Sequence, residues 1–175
     1  MDINQALSFI RAIPDYPSPG ILFQDFTPLL ANADALRVTT ESLAAFDKQA
    51  NLVAGIEARG FILGTALSLH NNVGFIPVRK KGKLPYTTIS RKYGLEYGTD
   101  EIEIHTDALN NSHQVLLVDD VLATGGTLEA AIHLIQDTGA QVSSIVVLLE
   151  IMTLEGRSRL SREFPDITIH SLVTT

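Results

Sequence analysis

Cysteine and tryptophan are absent from the 175-residue chain, and lysine and arginine together number only 13 against 20 aspartates and glutamates. The lack of cysteine excludes disulfides, thiol nucleophiles and cysteine-ligated metals. A net charge of −7 argues against nucleic acid or an anionic membrane as the main partner, because such binding depends on an excess of basic residues. Any anion that binds this protein must therefore meet a local basic patch.

Long apolar runs are also missing. No segment approaches the roughly 18 uninterrupted apolar residues of a membrane-spanning helix, and the start, MDINQALSFIRAIPDYPSPG, has neither the basic nor the apolar part of a signal peptide. We therefore expect a cytoplasmic protein that binds no membrane. With 45% hydrophobic residues, the chain is long enough for one globular domain with a sizeable core. Its five histidines are scattered without metal-ligand spacing.

Short apolar runs alternate with helix-like segments along the chain. The predicted strands are 52–56, 73–78, 115–118, 143–150 and 167–173, and the predicted helices are 2–12, 34–46 with Asp34 as its cap, 61–70 and 128–136. This alternation predicts an α/β fold with a central, mainly parallel sheet flanked by helices. Residues 85–105 interrupt the alternation with β-branched and aromatic residues and two glycines, which indicates a mobile hairpin rather than a core element.

The stretch VLLVDDVLATGGTLEAA, residues 115–131, carries the clearest chemistry. Asp119 and Asp120 fall at the carboxyl end of an apolar strand, where open parallel sheets bind ligands. Residues 123–127 contain a Gly-Gly pair and lead into a helix, so backbone amides and the helix dipole favour a phosphate. Nucleoside triphosphate and dinucleotide patterns are absent. Two carboxylates beside a phosphate cradle suit ribose hydroxyls or magnesium, which predicts a ribose 5-phosphate site.

Two other segments carry candidate groups for a diphosphate. In GIEARG, Arg59 ends a strand at the same sheet edge as the aspartates, so its guanidinium is positioned to grip phosphate oxygens. In VRKKGK, a basic cluster directly follows a strand and can close over a leaving diphosphate, although such runs are usually solvated surface. The cluster contains Arg79, Lys80, Lys81 and Lys83.

Two further segments suit a lid and a base site. GLEYG places Glu96 between glycines, a composition suited to a lid, and closure would desolvate its carboxyl and make it a better proton shuttle. GILFQDFTP is a loop shaped by glycine and prolines, in which Phe23 and Phe26 either pack in the core or present an aromatic face to a planar base.

Five segments together resemble, in the same order and with similar gaps, the adenine phosphoribosyltransferases. They are IPDYPSPGILFQDFTPLL, GIEARGFILG, VRKKGKLP, LEYGTDEIEIH and LLVDDVLATGGT. The last of them is similar to the phosphoribosyl diphosphate motif of the type I phosphoribosyltransferases, and LLEIMTLEGRSRL resembles the C-terminal part of the same family. The resemblance spans nearly the whole chain.

The resemblance implies a type I phosphoribosyltransferase fold in a single domain, 1–175, with an N-terminal hood and base-site segment at 1–33 and a flexible lid at 80–105. It implies a purine salvage enzyme that transfers the 5-phosphoribosyl group from phosphoribosyl diphosphate to adenine and gives AMP and diphosphate. It also implies a homodimer and Mg²⁺ as cofactor. The metal would be held mainly by the substrate, near Asp119 and Asp120, with no protein ligand directly assigned.

The resemblance also assigns site roles by position. The phosphoribosyl group and its phosphate would contact Asp119, Asp120, Ala123, Thr124, Gly125, Gly126 and Thr127. The diphosphate would contact Glu57, Ala58, Arg59, Lys80 and Lys83. The catalytic set would be Glu96, Tyr97 and Arg59, with Glu96 as the acid/base. Adenine would stack on Phe23 and hydrogen-bond the backbone of Leu22; Gln24 follows, where many family members have arginine.

Two other functions stay open from the sequence. A phosphoribosyltransferase for another purine would share the phosphate loop, but it would not predict GILFQDFTP together with LEYGTDEIEIH. A non-catalytic sensor of phosphoribosyl diphosphate would need an added DNA-binding module and a basic surface, and we expect neither in an acidic chain of this length.

Overall fold

The computed structural model describes residues 1–94 and 99–175, and the chain divides into two compact units, Met1–Ser42 and Leu43–Thr175. The first unit contains a short hairpin of two antiparallel strands, β1 (Arg11–Pro14) and β2 (Leu22–Asp25). Its helices are α1 (Ile3–Leu7), α2 (Thr27–Ala31) and most of α3 (Ala33–Ala44).

Two sequence predictions in the first unit were wrong in detail. The helix predicted over 2–12 ends at Leu7, because residues 11–14 pair with β2 instead. The cap of α3 is Asn32 rather than Asp34: the Asn32 side chain accepts a hydrogen bond from the Ala35 N–H at 3.0 Å. Asp34 lies in the first turn and faces Arg37 at 3.5 Å.

The second unit is built on a seven-stranded sheet in the order β5-β6-β4-β3-β7-β8-β9. The strands are β3 (Leu52–Ile56), β4 (Gly74–Lys80), β5 (Thr88–Gly94), β6 (Thr99–His105), β7 (Gln114–Leu122), β8 (Gln141–Glu150) and β9 (Thr168–Thr174). The neighbouring strands in the order β4-β3-β7-β8-β9 are all parallel. Strands β5 and β6 form an antiparallel hairpin at the edge, and β6 pairs antiparallel with β4. The expected α/β fold with a mainly parallel sheet flanked by helices is confirmed.

Three α-helices connect the strands of this unit, α4 (Arg59–Asn71), α5 (Gly126–Asp137) and α6 (Gly156–Glu163), and a 3₁₀ turn (Met152–Leu154) precedes α6. Strand β7 is apolar and buried from Val115 to Val118, as expected for a parallel strand covered on both faces. Helix α5 buries seven residues, among them Leu128, Ile132 and Ile135. The phosphate-binding candidate thus lies between a buried strand and a well-buried helix.

The β5–β6 hairpin belongs partly to the core. Ile102 and Ile104 of β6 are at most 1% exposed and pack in the central apolar cluster, so the prediction of a hairpin outside the core was wrong. Their alternation with Glu101 and Glu103 gives β6 one buried apolar face, which the sequence pattern EIEI itself encodes. Flexibility of residues 80–105 stays a prediction.

Within the described parts of the chain, every helix is too short or too polar to cross a membrane.

Candidate active site

The phosphate loop, residues 123–127, joins β7 to α5. Gly125 caps the helix with φ 82° and ψ −6°, a left-handed conformation that only glycine adopts without strain. Around the loop is a cavity of about 50 Å³, lined by Asp119, Val121, Ala123, Thr124, Gly125, Gly126, Thr127 and Leu128. Pockets for whole ligands measure roughly 300–1,000 Å³, so this cavity suits one group of a larger ligand. A helix N-terminus favours an anion there.

The start of α6 packs directly against this loop. A Cβ added to Gly156 would collide with the Ala123 carbonyl oxygen and would lie 2.8 Å from Leu122 Cδ1 and 2.9 Å from the Gly125 nitrogen. Only a residue without a side chain therefore fits at position 156. Sequence reasoning missed this contact, because Gly156 is about 30 residues from the loop, and its only signal was the segment LLEIMTLEGRSRL.

The two aspartates lie within β7, which continues to Leu122, rather than after its end. Each is 8% exposed. The Asp119 side chain accepts a hydrogen bond from the Asp120 N–H at 2.9 Å, and Asp120 Oδ2 lies 2.5 Å from Arg59 Nη2. Burial, and then the charge of Asp120, raise the pKa of Asp119 well above its usual value. The pair therefore places two buried carboxylates beside one guanidinium, an arrangement that a hydroxyl donor or a further cation would stabilise.

Replacing Asp119 with asparagine is expected to raise the free energy of unfolding at neutral pH by about 1 kcal/mol. A raised folded-state pKa means that the ionised carboxylate destabilises the folded protein, and this cost disappears as pH falls through that pKa. The advantage of the variant in thermal unfolding should thus be largest at pH 8 and shrink as the pH falls toward the unfolded-state pKa of about 3.9. A variant that melts below the wild type at pH 8 would contradict this explanation.

Arg59 and Glu57 meet different partners, although they stand two residues apart at the β3–α4 turn, where the Glu57–Ala58 peptide is cis. Arg59 reaches Asp120, so the structure brings together the GIEARG segment and the aspartate pair. Glu57 instead turns to the basic cluster: its Oε2 accepts from the Lys80 N–H at 2.8 Å and lies 3.3 Å from Arg79 Nε. Burial raises the pKa of Glu57, but the hydrogen bonds from Arg79 and Lys80 outweigh it and lower the pKa overall.

The basic loop, residues 79–83, begins at the end of β4, and three of its four cations have carboxylate partners among the described residues. Arg79 lies 3.3 Å from Glu57, Lys80 lies 3.0 Å from Asp100, and Lys81 lies 3.5 Å from Glu101. The loop is therefore less of a bare anion site than its sequence suggests, because acidic groups from the β3–α4 turn and from β6 offset its charge.

Glu103 shapes the second half of the basic loop. Its side chain is 2% exposed and accepts hydrogen bonds from the backbone N–H groups of Lys83 and Leu84, both at 3.1 Å, and from the Thr88 hydroxyl at 3.1 Å. These bonds fix the chain path around Lys83. Sequence reasoning missed both Asp100 and Glu103, since only the strand register shows that they face this loop.

The proposed base-site residues lie in the N-terminal unit. Leu22 is 56% exposed on β2, and Phe23 is half-buried with its ring edge-on to Tyr16, 5.2 Å between centroids. Phe26 is 2% exposed and therefore packs in the core, which was one of the two roles considered for Phe23 and Phe26 from the sequence. The proposed lid residues Glu96 and Tyr97 lie outside the described residues.

One histidine does have metal-ligating neighbours, which the sequence did not indicate. Among the described residues, a single group of three could hold a metal, with ligand atoms of Glu129, His133 and Glu163 within 4.8 Å of one another. Its members already have internal partners: His133 Nε2 lies 2.9 Å from Glu163, and Glu129 lies 2.5 Å from Arg159 Nε. These ion pairs between α5 and α6 explain why the three side chains lie close together.

Comparison with known proteins agrees on one family. The family model of the phosphoribosyl transferase domain matches residues 29–172. An adenine phosphoribosyltransferase of Parvibaculum lavamentivorans is 54% identical over 174 residues, which cover 98% of this chain and 97% of that protein.

Solved structures extend the agreement to the fold. The crystal structure of adenine phosphoribosyltransferase from Thermoanaerobacter pseudethanolicus has a TM-score of 0.92 at 44% identity and covers 99% of each chain. The enzyme from Saccharomyces cerevisiae, complexed with D-2,5-dideoxy-2,5-imino-altritol 1,6-bisphosphate and adenine, has a TM-score of 0.89 at 34% identity and covers 96% of this chain and 97% of that chain.

Proposed function

The chain belongs to the adenine phosphoribosyltransferase family, and from this premise we propose that it is a purine salvage enzyme. It transfers the 5-phosphoribosyl group of phosphoribosyl diphosphate to adenine and releases AMP and diphosphate. The observation that carries the proposal is the phosphate loop beside the buried Asp119–Asp120 pair, a cradle for one phosphate with acceptors for ribose hydroxyls next to it.

We assign the residues of the second unit as follows. The phosphate loop binds the 5-phosphate, through backbone amides and the hydroxyls of Thr124 and Thr127, and the two aspartates face the ribose hydroxyls. The diphosphate is bound at the turn formed by Glu57, Ala58 and Arg59, with Lys80 and Lys83 from the basic loop. The contact of Arg59 with Asp120 supports this assignment, because each residue belongs to one of the two proposed half-sites.

The remaining roles are proposed from the family resemblance. Adenine stacks on Phe23 and hydrogen-bonds the backbone of Leu22. Glu96 exchanges a proton with the imidazole ring of adenine, and Tyr97 accompanies it in the lid. A backbone acceptor for the amino group of adenine would leave a 6-oxo base facing another oxygen, and such a mismatch discriminates by about 10⁴-fold.

The residues of the site suit the charge changes of this reaction. As the bond from the sugar carbon to diphosphate breaks, positive charge grows on the ribose ring, much as in glycoside cleavage. Arg59, Lys80 and Lys83 stabilise the departing negative charge. The ring nitrogen of adenine then bonds to the same carbon and loses its proton, for which Glu96 is the proposed acceptor. A closed lid would keep water from the sugar cation.

Mg²⁺ fits the donor chemistry of this site, because Asp119 and Asp120 offer neighbouring buried carboxylate oxygens, the ligand type that this ion prefers. We propose that the ion is held mainly by the substrate, near these two residues. When bound, it supplies positive charge to the diphosphate.

We further propose a cytoplasmic homodimer in which residues 1–175 act as a single domain, with a hood at 1–33 and a lid at 80–105. These proposals rest on the family resemblance and on the sequence composition.

The test is diphosphate release from phosphoribosyl diphosphate and Mg²⁺, run in parallel with adenine, hypoxanthine, guanine, xanthine and no base. We expect release with adenine alone, with AMP as the second product. If diphosphate were released with an oxopurine instead, the assignment of the phosphate site would stand, but the assignment of Leu22 and Phe23 to the adenine site would be overturned. Tight binding of phosphoribosyl diphosphate without turnover would indicate the alternative function, a non-catalytic sensor of this compound.

A further inference from the structure

Asp100 lies at the centre of a small hydrogen-bonded group between the basic loop and the phosphate loop. Its Oδ2 atom is 3.0 Å from Lys80 Nζ and 3.2 Å from the Tyr93 hydroxyl, and its Oδ1 accepts from the Glu101 N–H at 2.9 Å. Tyr93 and Asp100 are directly opposed in the β5–β6 register. The position of the Asp100 carboxylate is thus set by the strand pairing of the hairpin, because the aspartate side chain is short.

Tyr93 connects this group to the phosphate loop. Its ring packs against that loop: a Cβ on Gly126 would lie 3.8 Å from Tyr93 Cδ2 and 3.1 Å from the carbonyl oxygen of Gly94, the next residue. Lys80, on the other side of Asp100, belongs to the proposed diphosphate site. The hydrogen bond and charge of Lys80 lower the pKa of Asp100, so the carboxylate stays ionised at neutral pH and competes for the ammonium as a full charge.

We propose that Asp100 is a positioning residue that holds Lys80 and releases it when diphosphate binds. Its carboxylate therefore competes with the diphosphate for the Lys80 ammonium group. The inference rests on the proposed function, because it takes Lys80 as a diphosphate ligand. Lys80 is 55% exposed, and an exposed ion pair is weak, so the exchange of one anion for the other costs little.

This competition has a use at both ends of the reaction. Without diphosphate, Asp100 keeps the flexible lysine side chain in one place near the site. After the reaction, the same carboxylate takes Lys80 back and helps diphosphate leave. Product release limits turnover in many enzymes, so a group that weakens product binding can raise kcat.

The test is titration calorimetry with Mg²⁺-diphosphate, together with steady-state kinetics. Asp100→Asn should tighten diphosphate binding about threefold to fivefold, the scale of one exposed ion pair. The KM for phosphoribosyl diphosphate should fall while kcat stays unchanged or falls, because release becomes slower. Thermal unfolding of each variant reports that it is folded.

Glu101→Gln is the matched control: it removes the same charge from the next residue, which faces Lys81 at 3.5 Å rather than Lys80. A second control is Asp100→Asn in a Lys80→Ala background, where no competitor effect can remain. Equal tightening by Glu101→Gln, or tightening that persists without Lys80, would overturn the proposal in favour of general charge repulsion.

The same titrations separate this inference from the proposed function. If Lys80→Ala binds diphosphate as tightly as the wild type does, the assignment of Lys80 to the diphosphate site fails, and the competitor role fails with it. If Lys80→Ala weakens binding but Asp100→Asn leaves it unchanged, only the competitor role fails.

Discussion

Replacing Gly156 with alanine is expected to lower kcat/KM for phosphoribosyl diphosphate about 100-fold, because displacing a substrate-positioning group by about 1 Å has an effect of that size. The new methyl group would collide with the carbonyl oxygen of Ala123 and crowd the nitrogen of Gly125, so either the phosphate loop or the start of α6 must move. The measurement is steady-state kinetics with saturating adenine.

Gly74→Ala provides a matched control, since it adds the same methyl group at the start of β4. There, the nearest atom is Leu52 Cδ1 at 3.0 Å, the end of a flexible side chain that can turn aside. We expect its kcat/KM to stay within about twofold of the wild type, as for substitutions away from special features. If Gly156→Ala were as active as this control, the close approach of α6 would not shape the phosphate site.

Replacing Arg157 with alanine is expected to lower the free energy of unfolding by about 2 kcal/mol, less than for a fully buried ion pair, because the Arg157 side chain is 37% exposed and water screens its charge. Its partner Glu150 is 2% exposed, and Arg157 Nε donates to Glu150 Oε1 at 2.8 Å while Nη2 donates to Oε2. Nη1 also donates to the Ile169 carbonyl at 2.6 Å. The variant therefore leaves the buried Glu150 carboxylate with only the Ser171 hydroxyl as a side-chain donor, and it removes the donor of the Ile169 carbonyl. Denaturant unfolding measures the loss.

The pH dependence of this loss has a defined sign. The hydrogen bond and charge of Arg157 lower the pKa of Glu150, so the stabilisation is complete above the unfolded-state pKa of about 4.3 and is lost as pH falls through the folded-state value. In the variant, protonation of the unpaired carboxylate relieves the cost. The stability difference should therefore stay constant while the pH is well above 4.3 and narrow as the pH falls below about 4.3, and a difference that does not narrow there would contradict this account.

An exposed ion pair serves as the reference for that experiment. Arg37 contacts Glu41 at 2.9 Å on α3, with side chains 54% and 46% exposed. Exposed pairs contribute little to stability, because water solvates both charges in the unpaired state. Arg37→Ala should therefore leave the unfolding transition almost unchanged at the same pH values.

The parts of the site that were predictable from sequence are local in the chain. The apolar run 115–118, the two aspartates and the Gly-Gly turn lie within thirteen residues, and each has a direct physical meaning for strand, ligand edge and helix start. The meeting of Arg59 with Asp120 was also predictable, because the carboxyl ends of neighbouring parallel strands share one edge of the sheet.

The parts that were not predictable depend on strand register and on distant contacts. Apart from Glu57, the carboxylates that hold the basic loop come from β6, about 20 residues along the chain, and a shift of one residue in its pairing would turn them to the other face. The contact of Gly156 with the loop depends on the packing of α6, for which a single glycine in the sequence gives no signal. Glu96, Tyr97, Leu22 and Phe23 rest on the resemblance alone and stay predictions.

The burial of α5 has a consequence for the order in which parts of the molecule open. The helix begins at Gly126 and buries seven residues, so its backbone amides should exchange with solvent hydrogen only when the whole unit unfolds. The basic loop is exposed from Lys81 to Lys83 and is held mainly by the side chains of Glu57 and Glu103, so it should open locally at much lower free energy. The two phosphate ends of the proposed substrate thus meet regions of unequal rigidity. The 5-phosphate would bind at a rigid helix start, and the diphosphate would bind at a loop that can change its conformation to fit it.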